Sequence, residues 1–344
     1  MTSQFSELEP TGGEGAIEMR ETEGKSQGQI VRARFFRHKG AMIGLGALII
    51  VILLACTSIG VGPIPGWWKY GPNQNLELVN GGRPTLVMPW SGSFQIGEHP
   101  FGQDEIGRDT FARTMKGAQS SLIVMFVIGL VATVLGTLIG ALSGFFRGYT
   151  DTILMRFTDL IITMPVIVIG ALLGKKFGSA APIPLGIALG LISWPPLARL
   201  VRGDFLSLRE REFVDAARVA GASNRRIIFK HILPNAMGVI IVAVTLLMST
   251  AILLETSLSY LEFGIQAPNV SLGTMISQYQ GAFNTRPWLF WWPGLFIIVI
   301  ALSVNFVGDG LRDAFDPRQK RLPSIRAMRR ADARAQHTLG TTTR

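Results

Sequence analysis

Charge is scarce in this chain: 16% of its 344 residues are Asp, Glu, Lys or Arg, against 48% apolar, and mean hydropathy is +0.35. That balance excludes an ordinary soluble protein of this size and points to a polytopic membrane protein. Cysteine is almost missing. The single Cys56 lies inside an apolar run, so no intrachain disulfide can form, and no Cys/His spacing suits a metal. Histidine is nearly as rare, and His38, His99, His231 and His337 all fall outside the long apolar runs. None of those runs carries two acids either, so a membrane-embedded hydrolase or transferase would lack a nucleophile with its base, or paired acids, at a common depth. Acids are outnumbered 23 to 33 by Lys and Arg, giving a net charge of +10, but the bases sit between apolar runs and in the tail rather than on a nucleic-acid-binding module. A phosphate loop is absent too: Gly24-Lys25-Ser26 has its ending, but Met19 stands where the earlier glycine is needed and no strand precedes it.

What is present is a series of long apolar runs. Residues 1–30 are rich in Gly, Glu and Ser, with six acids and two bases, and are expected to form a disordered cytosolic leader. A basic patch from Arg32 to Lys39 follows, then 19 uncharged residues, 41–59, about the length that crosses a ~30 Å hydrocarbon core. The run is long enough to remain as a span, so no cleavable signal peptide is expected. Similar runs cover 121–146, 177–198, 232–254 and 287–308. A further run, 153–174, carries Arg156 and Asp159, whose spacing lets them face each other on a helix near the membrane surface. The expectation is an all-α membrane protein with six transmembrane helices. An inside amino terminus puts 25 of the 33 Lys and Arg on cytosolic segments and 8 on the other face, which predicts both termini in the cytosol.

The domain reading follows: a leader (1–30), a basic segment with the first helix (31–60), an exported segment (61–120), a core (121–310) with a cytosolic loop at 199–234, and a basic cytosolic tail (311–344). The tail, with Arg326, Arg329, Arg330 and Arg334, reads as a solvated or leaflet-binding extension. In the exported segment Trp67-Trp68 and Trp90 are interface anchors, and a turn around Gly102 to Gly107 leads into a helix entering the second span. Composition favours a surface cap there over a gate or docking surface. Gly40 and Gly44, then Gly136, Gly140 and Gly144, then Gly186 and Gly190 recur at four-residue spacing, a device for close helix packing. Pro165, Pro195-Pro196, Pro234 and Pro293 are positioned to kink or begin helices.

The loop 199–234 is the most informative stretch. Phe213, Ala216, Ala217 and Ala220 fall on one helix face, with Glu212, Asp215 and Arg218 elsewhere around it. Gly221 then supplies a left-handed cap, and Ser223 caps a second helix that Pro234 stops. The resulting hairpin has three possible partners: its own bundle, the anionic inner leaflet through Arg209, Arg211, Arg225, Arg226 and Lys230, or a groove on a cytosolic protein. A small alanine face favours close approach to protein over burial in lipid.

The segment Asp215 to Gly221, DAARVAG, followed nine residues later by His231 to Pro234, HILP, resembles the EAA loop of binding-protein-dependent ABC importers. Ala216, Ala217, Gly221, Leu233 and Pro234 match that pattern, with Asp215 in the glutamate position and His231 in the isoleucine position. HPFGQDEIGRDTFARTMKGAQSSL (99–122), ETSLSYLEFGIQAP (255–268) and GDGLRDAFDPR (308–318) are similar to the C-type permease subunit of the dipeptide/oligopeptide/nickel branch, the DppC/OppC type. Gln119, where the family often has Arg, and Glu262, where a small residue is usual, depart from it. The resemblance covers about residues 30–320.

It implies a type I ABC importer transmembrane domain of the MetI-like kind. Such a chain is a permease subunit of the bacterial cytoplasmic membrane without enzymatic activity, paired with a homologous second permease. Two ATP-binding domains would hold the ATP and Mg, an external binding protein would deliver peptide, and this chain would carry no cofactor of its own. Coupling to the ATPase is then expected at Glu212, Phe213, Asp215, Ala216, Ala217, Ala220, Gly221, Arg225, Leu233 and Pro234. Glu255 and Glu262 are expected either to line the outer pathway or to sit in the headgroup region. Nickel chelates or haem are alternative cargoes, and a membrane-embedded enzyme, a channel or a receptor are alternatives of another class.

Overall fold

The computed structural model describes residues 27–86, 96–178 and 181–315. The leader up to residue 26, Trp90 and the tail from residue 316, including Arg318, Arg326, Arg329, Arg330 and Arg334, lie outside the described residues.

Helices dominate because the apolar runs are rich in Leu, Ile, Val and Ala, and a chain in lipid must satisfy its backbone internally. In order they are α1 (Gln27–Arg37), α2 (Lys39–Ile59), α3 (Thr110–Phe146), α4 (Gly148–Thr163), α5 (Val166–Phe177), α6 (Pro182–Ser193), α7 (Pro195–Leu208), α8 (Glu212–Val219), α9 (Asn224–Arg226), α10 (Leu233–Tyr260), α11 (Leu272–Tyr279) and α12 (Trp288–Phe315). Helix α1 takes in residues 27–30, which composition had assigned to the leader. Two short antiparallel strands, β1 (Gly60–Val61) and β2 (Ile64–Pro65), turn the chain just after α2.

Lys39–Ile59, Thr110–Phe146, Asn224–Tyr260 and Trp288–Phe315 are each long and apolar enough to cross a membrane. Two bent pairs, α4 with α5 and α6 with α7, bring the number to six when each pair counts as one span. The first pair bends by 81° at Met164-Pro165 and the second by 48° at Trp194-Pro195. Proline explains both places: it lacks an N–H and disfavours a helical residue before it, so a new helix starts at or just after it.

Helix α3 is the axis. Its 37 residues span about 55 Å, well beyond the hydrocarbon core, so one helix ties both ends of the bundle together. It packs on α2, α6, α7 and α10, with Met115, Met125 and Ile128 fully buried. The predicted glycine seams are real contacts. Gly136, Gly140 and Gly144 run along α7, Gly186 and Gly190 meet α3, and Gly44 meets α12, whereas Gly40 faces only its own His38 ring. At Gly140 a Cβ would lie 2.5 Å from the Ala198 carbonyl oxygen, so any larger residue separates α3 from α7.

Beyond the start of α3, residues 60–86, 96–109 and 261–287 form a cap. Asp109 is its centre. Fully buried at the N-cap of α3, its Oδ2 accepts from the Ala112 N–H and from Trp68 Nε1, each at 2.8 Å, and its Oδ1 pairs with His99 Nδ1 at 2.8 Å. Tyr70 stacks on the His99 ring at 4.6 Å. Trp68 is therefore a strut inside the cap rather than an interface anchor, while Trp67 is exposed. Asp104 accepts from Tyr279 Oη at 2.8 Å and Arg108 Nε at 2.6 Å, and burial beside that carboxylate pushes the Tyr279 phenol up to about 12, so it stays a donor. Gln119 donates to the carbonyls of Ala55 and Gly60 at 2.7 and 2.8 Å, capping the end of α2.

Candidate functional site: an exposed helical loop beside an apolar cavity

At the other end of α3 the loop 199–234 is more helical than its charge suggests. Helix α7 continues to Leu208, so Arg199 and Arg202 lie on it rather than in a loop. Asp159 pairs with Arg199 at 2.5 Å, not with Arg156 as the spacing predicted, because α7 lies against that side of α4. After α7, Arg209 donates to the Phe145 carbonyl and its guanidinium lies 5.7 Å from the Phe145 ring centre. Partial burial and the nearby cations Arg147 and Arg218 hold the Arg209 pKa below the ordinary arginine value.

Helix α8 ends as predicted. Gly221 has φ +76°, the Ala222 N–H reaches the Ala217 carbonyl at 3.0 Å, and the Gly221 N–H reaches that of Arg218 at 2.9 Å. This paired bonding is a Schellman cap, and it needs a residue that tolerates the left-handed region. Ser223 Oγ then accepts from the Arg226 N–H at 3.4 Å to start the next helix.

Two expectations about this loop are corrected. Pro234 does not stop the second helix, because α9 passes through a π-helical turn, Ile227–Ile232, directly into α10. The wider turn accommodates the missing proline N–H and the ring without breaking the helix. The apolar face of α8 is also not single. Ala217 and Val214 point into the bundle, where they join Phe205, Ile227, Ile228 and Ile232 in a core cluster. Phe213, Ala216 and Ala220 stay exposed, and Val219 is 90% exposed. Val214 and Val219 were missed by the sequence reading, although Val214 and Ala217 stand at helical i, i+3 spacing.

The remaining sequence-predicted positions separate clearly. Glu212, Asp215, Gly221, Arg225 and Pro234 are exposed, and Leu233 is partly buried against the same cluster. Arg225, Arg226, Ser223 and Phe229 line a shallow recess of about 410 Å³ at the start of the second helix. Glu255 does not face headgroups: it is fully buried, accepting from Ser121 Oγ and Ser259 Oγ at 2.7 Å each. The polar contacts that take it inside come from α3 and from its own helix, which the sequence cannot reveal. Glu262 lies in an exposed turn with φ +65°, a left-handed conformation uncommon for a residue other than glycine.

Next to the loop is a cavity of about 1240 Å³ lined from α1, α3, α4–α7, α10 and α12. Its lining is largely apolar, with Ser193, Asn235 and Thr250 as polar points and Arg312 as the ionisable side chain among the described residues. No group of three or more His, Cys, Asp or Glu among the described residues converges on a metal-binding point.

A bundle of bent spans around an apolar cavity, with a short helix displayed beside it, is the architecture of a membrane transport component. Residues 136–321 match the family of binding-protein-dependent transport system inner membrane components, and residues 26–78 match the N-terminal TM domain of oligopeptide transport permease C. The chain is 36% identical over 304 residues to the oligopeptide transport system permease protein OppC of Haemophilus influenzae, covering 88% of this chain and 93% of that one. It is 35% identical over 302 residues to OppC of Mycobacterium tuberculosis, covering 88% and 98%. An inward-facing structure of the MetNI methionine ABC transporter aligns at 20% identity with a TM-score of 0.48, covering 58% of this chain and 94% of that one. The chain belongs to the binding-protein-dependent transport system inner membrane component family and is a permease subunit of an ABC importer. Such a subunit works with ATPase and substrate-binding components and is not itself an enzyme.

Proposed function

We propose that this chain forms half of the translocation pathway of a peptide importer, beside a homologous second permease, in a bacterial cytoplasmic membrane. Both termini and the loop 199–234 face the cytosol, where the excess of Lys and Arg favours them. The cap then faces outward, toward a substrate-binding protein that delivers the peptide. Two partner ATP-binding domains hold ATP and Mg, and one of them receives the exposed face of α8. Peptide as cargo is supported by the names of the relatives at 35–36% identity, which are oligopeptide permeases.

The observation that carries the docking reading is the division of α8. Val214 and Ala217 are already used inside the bundle, whereas Ala216, Val219 and Ala220 stand exposed and Phe213 keeps 38% of its surface exposed. An aromatic, a valine and two alanines on one exposed helix suit a groove on a protein surface, read at i, i+3 and i+4 positions. Arg225 and Arg226, exposed at the start of the following helix, suit an acidic rim.

Val219→Asp tests this. The substitution removes no internal contact, so the chain should insert and melt like the parent, but it should retain at least about tenfold less coexpressed ATPase on co-purification, as expected when a central apolar anchor is lost. Peptide uptake by the reconstituted complex should fall in parallel. Undiminished ATPase retention by Val219→Asp refutes the docking face.

A further inference from the structure

Helix α4 is built inside out. Along its length Thr158 alone is fully buried, and Tyr149, Ile153, Phe157 and Leu160 are exposed, with Tyr149 at 89%. The side turned toward the bundle carries polar groups instead. Asp151 takes a two-point contact from Arg202, Nε to Oδ1 and Nη2 to Oδ2, both at 2.6 Å, and also accepts from Ser143 Oγ on α3. One step before it Arg147, at the α3–α4 junction, pairs with Glu210 at 2.6 Å, and two turns beyond it Asp159 pairs with Arg199 at 2.5 Å.

These pairs form a ladder with antiparallel order. Positions 147, 151 and 159 on the α4 side meet 210, 202 and 199 on the α7 side. The rungs differ in strength. Asp151 is 17% and Arg202 35% exposed, whereas both partners of the other two rungs are more than 40% exposed. A forked, half-buried guanidinium–carboxylate pair fixes direction as well as distance, and the exposed rungs contribute little alone. Helix α7 in turn leads through Arg209, Glu210 and Arg211 straight into α8. Phe157 stacked on Trp194 at 6.0 Å is an additional contact, and it lies at the bend opening α7.

We infer that the Asp151–Arg202 pair, flanked by Arg147–Glu210 and Asp159–Arg199, is the linkage that makes α4 follow α7 when the loop moves, and so carries ATPase motion to the cavity wall. Ile161 and Ile162 at the far end of α4 and Val166 opening α5 line that cavity, so displacing α4 changes its shape. Asp151 and Arg202 are positioning residues; neither lies on the cavity or on the docking face. The inference rests on the docking reading above, and its test separates the two.

The test uses the whole importer with its ATPase, second permease and binding protein, reconstituted in proteoliposomes. Cys56→Ala removes the native thiol, and spin labels go on Tyr149→Cys in α4 and Ile43→Cys in α2, both exposed sites. Nucleotide trapping should shift the label-to-label distance in this parent. Asp151→Asn should abolish the shift and lower peptide imported per ATP hydrolysed by about tenfold, the scale of losing a partly desolvated charge pair. Asp151→Arg combined with Arg202→Asp should restore both beyond half, which a purely local fault would not allow. ATPase should co-purify with every variant. A parent-like shift in Asp151→Asn, no shift in the parent, or no recovery in the reversed pair each overturns the linkage. If Asp151→Asn fails to accumulate, Asp159→Asn is read in its place, with a smaller loss expected and full parental coupling counting against the linkage. A parent complex that never holds its ATPase overturns the docking reading and this inference together; one that holds it while Asp151→Asn couples normally overturns the linkage alone.

Discussion

Asp109 and Val219 belong to the two ends that α3 joins, and each is unusual for its place. Asp109 is a carboxylate with no exposed surface, and Val219 is an aliphatic side chain with 90% of its surface exposed. Around Asp109 the polar groups are satisfied by one another: Trp68, His99 and the start of α3 all bond to the same carboxylate. Around Val219 apolar and cationic side chains stand outward, with the helix held from behind by Val214 and Ala217. The carboxylate at the centre of the cap has found its partners within the chain; the outward apolar side chains of α8 stay exposed. A buried network is costly to break because each abandoned group stays desolvated, whereas an exposed apolar face is costly to change once a partner covers it.

The largest effect is expected in the cap. Asp109→Ala leaves the Trp68 indole N–H, His99 and the Ala112 N–H without their acceptor, a loss of about 3–5 kcal/mol. Thermal unfolding of the purified chain in detergent would measure it. A melting curve within about 1 kcal/mol of the parent would show that the cap's stability does not depend on this carboxylate.

In the loop, backbone rather than burial sets the next effect. Beyond Gly221 itself and its chain neighbours, no atom lies within 4 Å of the Cβ position there, so what resists a Cβ is the local backbone at φ +76°. Gly221→Val should cost about 1–2 kcal/mol locally, enough to undo the Schellman cap, and uncouple uptake from ATP hydrolysis or release the ATPase. Gly221→Asn, which tolerates the left-handed region, should keep both. Equal transport by the valine and asparagine variants would show that the turn's backbone does not govern docking.

How much of this was legible in the sequence depended on distance along the chain. Four of the spans, the Gly221 cap, the Ser223 start and most glycine seams rest on local patterns or packing small residues advertise, and they stand, whereas the runs 153–174 and 177–198 fall on the two bent helix pairs. The cap network joins residues far apart, Trp68 to Asp109 across 41 positions and Asp104 to Tyr279 across 175, so no local pattern announces it. The same limit placed Glu255 at a surface and paired Asp159 with the wrong arginine. Pro234 misled for another reason: the π-helical turn before it is a tertiary accommodation that overrides the local rule. Of the exposed face of α8, Phe213, Ala216 and Ala220 followed from periodicity, but Ala217 belongs to the other side because α8 packs on Phe205 and Ile227.

The smallest effects compare the two ends with like chemistry. Lys69 and Glu98 in the cap pair at 2.8 Å, and Arg218 and Asp215 in the loop at 3.0 Å, all on exposed side chains. The hydrogen bond with Lys69 holds Glu98 below its ordinary 4.5, and the bond to Glu98 holds Lys69 above its ordinary 10.5. What Glu98 contributes is therefore present above pH 4.5 and lost as pH falls through its depressed value. What Lys69 contributes is present below pH 10.5 and lost as pH rises through its raised one, so the pair is intact throughout the neutral range. Solvent screening leaves such a pair little influence on stability, and Glu98→Gln should melt and transport like the parent. Asp215→Ala should also melt like the parent, yet Asp215 lies one helical turn from the exposed Val219 and its loss should weaken ATPase retention modestly, by about twofold, and less than Gly221→Val. If Asp215→Ala were as silent in ATPase retention as Glu98→Gln is in every assay, the docking surface would be confined to the apolar face and the charges around it would be solvated like those of the cap.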